Sequence, residues 1–129
     1  MGIQARIDRP ARTALSLATR VLIVEDHALL ATVAADMIED LGGTIAAVAV
    51  TVEEALAACA VGGITIALLD LDLGGHHSGP VARALVVAGI PFIVTTGAMQ
   101  VPDGLGEAAV LTKPYALGDL RRALTALAD

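Results

Sequence analysis

Five short apolar runs punctuate the chain: VLIVE (21–25), TIAAVAV (44–50), TIALL (65–69), PFIVT (91–95) and AAVLT (108–112). None alternates polar with apolar residues, so each reads as a strand buried on both faces, as in a parallel sheet covered by helices. The segments between them carry helical spacing. Leu30, Val33, Met37 and Leu41 recur along one face, and Gly42 is placed to end that helix. Thr51 with Glu54 makes a capping-box pattern that opens a helix through Val61, stopped by Gly62 and Gly63. Pro80 starts a helix running to about Val87, and Leu117, Leu120, Leu124 and Leu127 mark the last one. Alternating strands and helices predict an α/β fold with a doubly wound parallel sheet. In such sheets ligands sit beyond the carboxyl ends of the strands, so chemistry belongs in the loops after the first, third, fourth and fifth runs.

Composition narrows this picture. The chain has 129 residues, enough for one domain, and is 56% apolar with one Phe, one Tyr and no Trp, so its core must be built from Ala, Val, Leu and Ile. The single Cys59 excludes an internal disulfide, reads as a small buried hydrophobe, and fits a reducing compartment, which makes a cytoplasmic location the expectation. Glu53 and Glu54 interrupt the apolar middle, and a membrane span is not expected. Residues 1–20 hold Arg6, Arg9, Arg12 and Arg20 against Asp8, a balance of +3. They loosely imitate a signal peptide, but Arg20 runs straight into the first strand, so residues 1–19 are read as a flexible basic extension and 20–129 as the domain. Residues 21–129 hold four basic and thirteen acidic residues, a balance of −9, which repels nucleic-acid phosphates and argues against direct nucleic-acid binding.

The polar residues at the strand ends carry the chemistry. The first strand leads into Glu25 and Asp26, the third into Asp70 with Asp72 two residues on, the fourth into Thr95, Thr96 and Gly97, and the fifth into Thr112, Lys113 and Pro114. If the first and third strands are neighbours, three carboxylates converge. Each close pair then costs about 4 kcal/mol at 4 Å and an effective dielectric of 20. A divalent cation with hard oxygen ligands offsets that cost, and Mg²⁺ suits a site of carboxylates, water and phosphate oxygens. Lys113 is the only lysine, beside seven arginines, which favours a compact point charge at this place over a flat guanidinium. These parts suffice for phosphoryl transfer to a carboxylate, with Asp70 as nucleophile, Mg²⁺ and Lys113 neutralising developing charge, and Thr96 sensing the product.

The set Glu25-Asp26, Asp70, Thr96 and Lys113-Pro114 resembles the receiver domain of two-component response regulators, over about residues 20–128. The resemblance implies a flavodoxin-like (βα)5 sandwich with sheet order 2-1-3-4-5. It implies Asp70 as phosphoacceptor and an Mg²⁺ ion held by Asp26 directly, by Glu25 mostly through water, by Asp70, and by the backbone carbonyl of Asp72. Phosphate would come from a phosphohistidine on a histidine kinase or histidine phosphotransferase. Output would be by binding a downstream protein, with a weak homodimer as a further association, and the chain would not be an enzyme. The Asp72 side chain would stand near the phosphoryl site and influence hydrolysis.

Three departures from the family pattern stand out. Gly74 occupies a position that usually holds proline, in a loop that reads one residue longer. Val110 stands where many receivers have a switching aromatic. Only sixteen residues separate Thr96 from Lys113, with Pro102, Gly104 and Gly106 among them, so the fourth helix is expected to be short, irregular or missing.

Two other functions compete. DLDLG also looks like the first motif of haloacid-dehalogenase-type phosphatases, but that family needs a metal-binding acid pair after the lysine, where only Asp119 stands at a plausible distance. A phosphorylation-independent interaction module with the same fold is the other alternative. His76 and His77 have no cysteine or further histidine nearby and read as a solvated glycine-rich loop, while His27 reads as the exposed start of the first helix.

Overall fold

The alternating pattern folds as a single parallel sheet between two helical layers. The structure, a computed structural model, describes residues 15–97 and 109–128. Along the chain run β1 (Arg20–Val24), α1 (Ala28–Asp40), β2 (Thr44–Ala49), α2 (Val52–Val61), β3 (Ile66–Asp70), β4 (Asp72–Leu73), β5 (His76–His77), α3 (Gly79–Ala88), β6 (Phe92–Thr96), β7 (Ala109–Thr112) and α4 (Leu117–Ala128). The sheet order is β2-β1-β3-β6-β7, all parallel. Setting aside the two short strands β4 and β5, this is the order 2-1-3-4-5. The expected fourth helix falls on residues outside those described.

The unbroken apolar runs have a simple cause. Successive strand side chains point to opposite faces, and in the central strands β1, β3 and β6 each face meets a separate core. The edge strands β2 and β7, expected to be buried on both faces, are only partly buried, with Val48 44% and Val110 40% exposed, because each has a neighbouring strand on one side only. Leu22, Val24, Ala67, Leu69 and Val94 pack with Ala55 of α2 and with Val81 and Leu85 of α3. Val21, Ile23, Ile66, Leu68 and Ile93 pack on the other side with Ala31, Ala34 and Ile38 of α1 and with Leu120 and Leu124 of α4. Ahead of β1, the Leu15 amide donates to the Leu41 carbonyl at 3.0 Å, and the Leu15 side chain joins the α1–α4 core.

Local chemistry sets the helix starts. His27 caps α1, its Nδ1 accepting from the Leu30 amide at 3.4 Å. Thr51 caps α2 by accepting from the Glu54 amide at 3.1 Å, while Glu54 reaches back to the Val50 amide at 3.0 Å, one residue before the cap.

The segment after β3 differs from the sequence reading. The segment is exposed at Gly74, Gly75 and His77, as expected, but rather than an irregular loop residues 72–77 form an antiparallel hairpin, with Asp72 opposite His77 and Leu73 opposite His76. Gly74 and Gly75 make its two-residue turn with φ of 59° and 86°. Positive φ at both positions marks the turn whose twist suits a hairpin. Leu73 anchors the hairpin in the core. Ser78 closes it, its fully buried hydroxyl donating to the Leu71 carbonyl at 3.2 Å.

Because Leu69 is fully buried one residue before Asp70, Leu69→Ala should lower unfolding free energy by about 2–5 kcal/mol. Val61, 88% exposed, should change stability by less than about 0.5 kcal/mol on the same substitution. Urea unfolding followed by circular dichroism checks both.

Candidate functional site

At the carboxyl edge of the sheet, the central strands deliver acids side by side. The Glu25 amide continues the ladder past β1 by donating to the Ala49 carbonyl at 3.0 Å, which carries the Glu25 side chain into the interior. Asp70 is the last residue of β3 and is also buried, whereas Asp26, one residue further out, is exposed. The Lys113 amide donates to the Thr96 carbonyl at 2.8 Å, which extends the β6–β7 pairing and brings the lysine to the same edge.

The Lys113 ammonium donates to Glu25 Oε1 at 2.7 Å and lies 3.1 Å from Asp70 Oδ2. The other oxygens are held by backbone: Glu25 Oε2 accepts from the His27 amide at 3.1 Å, and Asp70 Oδ1 from the Asp72 amide at 3.1 Å. Oxygens of Glu25, Asp26 and Asp70 all lie within 4.8 Å of one another. Three carboxylates against one ammonium leave two formal negative charges. A hard divalent cation matches both that charge and the all-oxygen donor set, so the residues present fit Mg²⁺.

Burial pushes the Glu25 carboxyl above the ordinary range, and the charge of Asp70 adds to the rise. The opposing pull of the Lys113 and His27 hydrogen bonds does not cancel it. Burial works against the Lys113 ammonium, but its bonds to Glu25 and Asp70 outweigh that, and its pKa is raised.

The structure thus brings Glu25, Asp26, Asp70 and Lys113 together. Thr96 ends β6, buried, opposite Thr112 of β7 in register. Asp72 is exposed, and its Oδ1 accepts from the Gly75 amide at 3.0 Å, so this carboxylate also braces the hairpin turn. Asp119, which the phosphatase alternative would need, instead accepts from the Ala116 amide at 2.9 Å and pairs with Arg122 in the first turn of α4. The sequence reading missed Ser78, whose hydroxyl fixes the strand end after Asp70. Its signal was faint, a serine just before the Gly79-Pro80 helix start.

An edge of this kind on a doubly wound sheet defines a class, an α/β domain with an acid–lysine site beyond its strands. No protein-family model and no curated protein matches the chain, but solved structures do. SdrG from Sphingomonas melonis Fr1 is 40% identical, with a TM-score of 0.79 over 89% of this chain and 100% of that one. The response-regulator receiver domain of PhyR from Erythrobacter litoralis is 28% identical, covering 84% of this chain and 88% of that one, with a TM-score of 0.73. PhyR from Brucella abortus is 28% identical over 94% of this chain but only 54% of its own, with a TM-score of 0.72. The chain belongs to the response-regulator receiver domains of two-component signalling.

The raised Glu25 pKa fixes the sign of a pH effect. Folding favours the protonated carboxyl, so its contribution to stability is full below the unfolded value, near 4.5, and is lost as pH rises through the folded value. Without divalent cations, Glu25→Gln should therefore be at least as stable as the wild type at pH 8. That advantage should shrink as pH falls toward 4.5, as thermal melts across the range would show.

Proposed function

We propose that this receiver accepts a phosphoryl group on Asp70 and passes the signal on through protein–protein contact, without being an enzyme. The observation that carries the reading is the Lys113 ammonium set between Glu25 and Asp70, with Asp26 within reach of the same cation. An Asp70 carboxylate oxygen forms the new P–O bond as the P–N bond of a phosphohistidine breaks, and the leaving imidazole takes a proton from solvent. Lys113 follows the negative charge from the carboxylate to the phosphoryl oxygens. The Thr96 hydroxyl, at the end of β6, binds a phosphoryl oxygen once it has arrived. Glu25, Asp26, Asp70 and the backbone carbonyl of Asp72 would hold Mg²⁺, which supplies charge neutralisation for the phosphoryl oxygens when bound.

The donor would be a histidine kinase or histidine phosphotransferase. A hollow of about 330 Å³ beside Lys113, walled by Leu30, Val33, Met37, Pro114 and Tyr115, favours an apolar protein surface as the approach. Within that wall Leu30 is 42% and Val33 41% exposed. A downstream protein partner, with weak self-association, completes the reading. The acidic body argues against nucleic acid. Among the described residues no helix is long and apolar enough to cross a membrane, and with the free Cys59 this supports a cytoplasmic site of action.

Incubation with acetyl phosphate and Mg²⁺, followed by intact-mass measurement, tests the proposal. The wild type should gain one phosphoryl group and lose the gain when EDTA is added first. Asp70→Asn should gain none, and uptake by that variant at the wild-type rate would place the acceptor elsewhere.

A further inference from the structure

The β4–β5 turn passes close to Asp26. A two-residue turn with positive φ at both positions accepts Asn readily at its first residue, Asn-Gly being a favoured pair. Backbone conformation alone therefore does not demand glycine at position 74. Its neighbour leaves little room: a Cβ built on Gly74 would lie 3.2 Å from Asp26 Oδ2, whereas one on Gly75 would meet nothing within 4 Å.

One of the two sides would have to yield to such a side chain. The hairpin is braced by the Asp72–Gly75 hydrogen bond, by buried Leu73 and by the Ser78 contact to the Leu71 carbonyl. Asp26 is exposed, and exposed side chains change rotamer readily. Crowding at position 74 would thus spare the fold and displace the Asp26 carboxylate by a few tenths of an ångström from its place beside Glu25 and Asp70. The same turn also borders a cleft of about 530 Å³, lined by Asp26, Thr51, Glu53, Gly74 and His77 among others. That cleft offers space for water on the outer side of Asp26.

We infer that Gly74 is a positioning residue for the divalent cation, keeping the Asp26 carboxylate aimed at its two partners and its outer side open to the water that Mg²⁺ retains. The inference rests on the reading of Glu25, Asp26 and Asp70 as a cation site.

Two substitutions separate crowding from backbone strain. Asparagine tolerates positive φ and alanine does not, yet both place a Cβ at the same point. The full chain and each variant are titrated with MgCl₂, following the amide chemical shifts of Glu25, Asp26 and His27, and are melted without metal. Gly74→Asn and Gly74→Ala should both weaken Mg²⁺ binding by about tenfold, the lower end of what losing a supporting contact to a metal ligand costs. The metal-free Gly74→Asn protein should melt at or above the wild type and Gly74→Ala below it. Wild-type Mg²⁺ affinity in Gly74→Asn would overturn the inference, as would a metal-free melt of that variant well below the wild type. No Mg²⁺-dependent shift at Glu25, Asp26 or His27 in the wild type would refute the cation site itself, and the inference with it.

Discussion

One ammonium shared by two buried carboxylates holds the carboxyl edge of the sheet together. Lys113 follows the edge strand β7, Asp70 ends β3 and Glu25 follows β1. The contact therefore spans strands that are not neighbours, reaching over β6. Without the cation, Glu25 and Asp70 would face each other out of water, and stripping one side from such a group costs about 3–5 kcal/mol. That penalty explains why the one lysine of the chain stands here, fixed by a backbone bond to Thr96.

The fold was legible because burial of the central strands on both faces leaves a plain trace. Residues such as Leu22 and Ile23 belong to different cores, so neither could be polar, and the runs could not alternate. The caps at Thr51 and the acids at the strand ends were equally readable, each being a residue type that the local backbone or charge balance requires. The hairpin after Asp70 was not. Its strands are two residues each, too short for any period, and two consecutive glycines suit a disordered loop as well as a tight turn. Ser78 was hidden for a related reason: its partner is a backbone carbonyl seven residues earlier, and no side-chain pattern records such a bond.

The site is electrostatically expensive, and its surroundings show how it is tolerated. Asp70 and Glu25 stand at the rim of two apolar layers that are fully packed on both sides of β1 and β3. Their spare oxygens are satisfied by main-chain amides. Among the described residues no buried side-chain polar atom lacks a partner. Rigidity here comes from the backbone, which leaves exposed Asp26 as the adjustable member of the acid group and gives the neighbouring turn its influence over it.

The scarcity of aromatic residues has an optical consequence. The sequence holds no tryptophan and one tyrosine, and that phenol, Tyr115, lines the hollow beside Lys113. Burial raises its pKa, and the charges of Lys113, Glu25 and Asp70 all act on it. Excited at wavelengths that tyrosine absorbs and the single Phe92 does not, emission from this protein therefore originates next to its acid–lysine cluster, without tryptophan background. The molecule carries its own spectroscopic label, two residues from the ammonium that joins its strands.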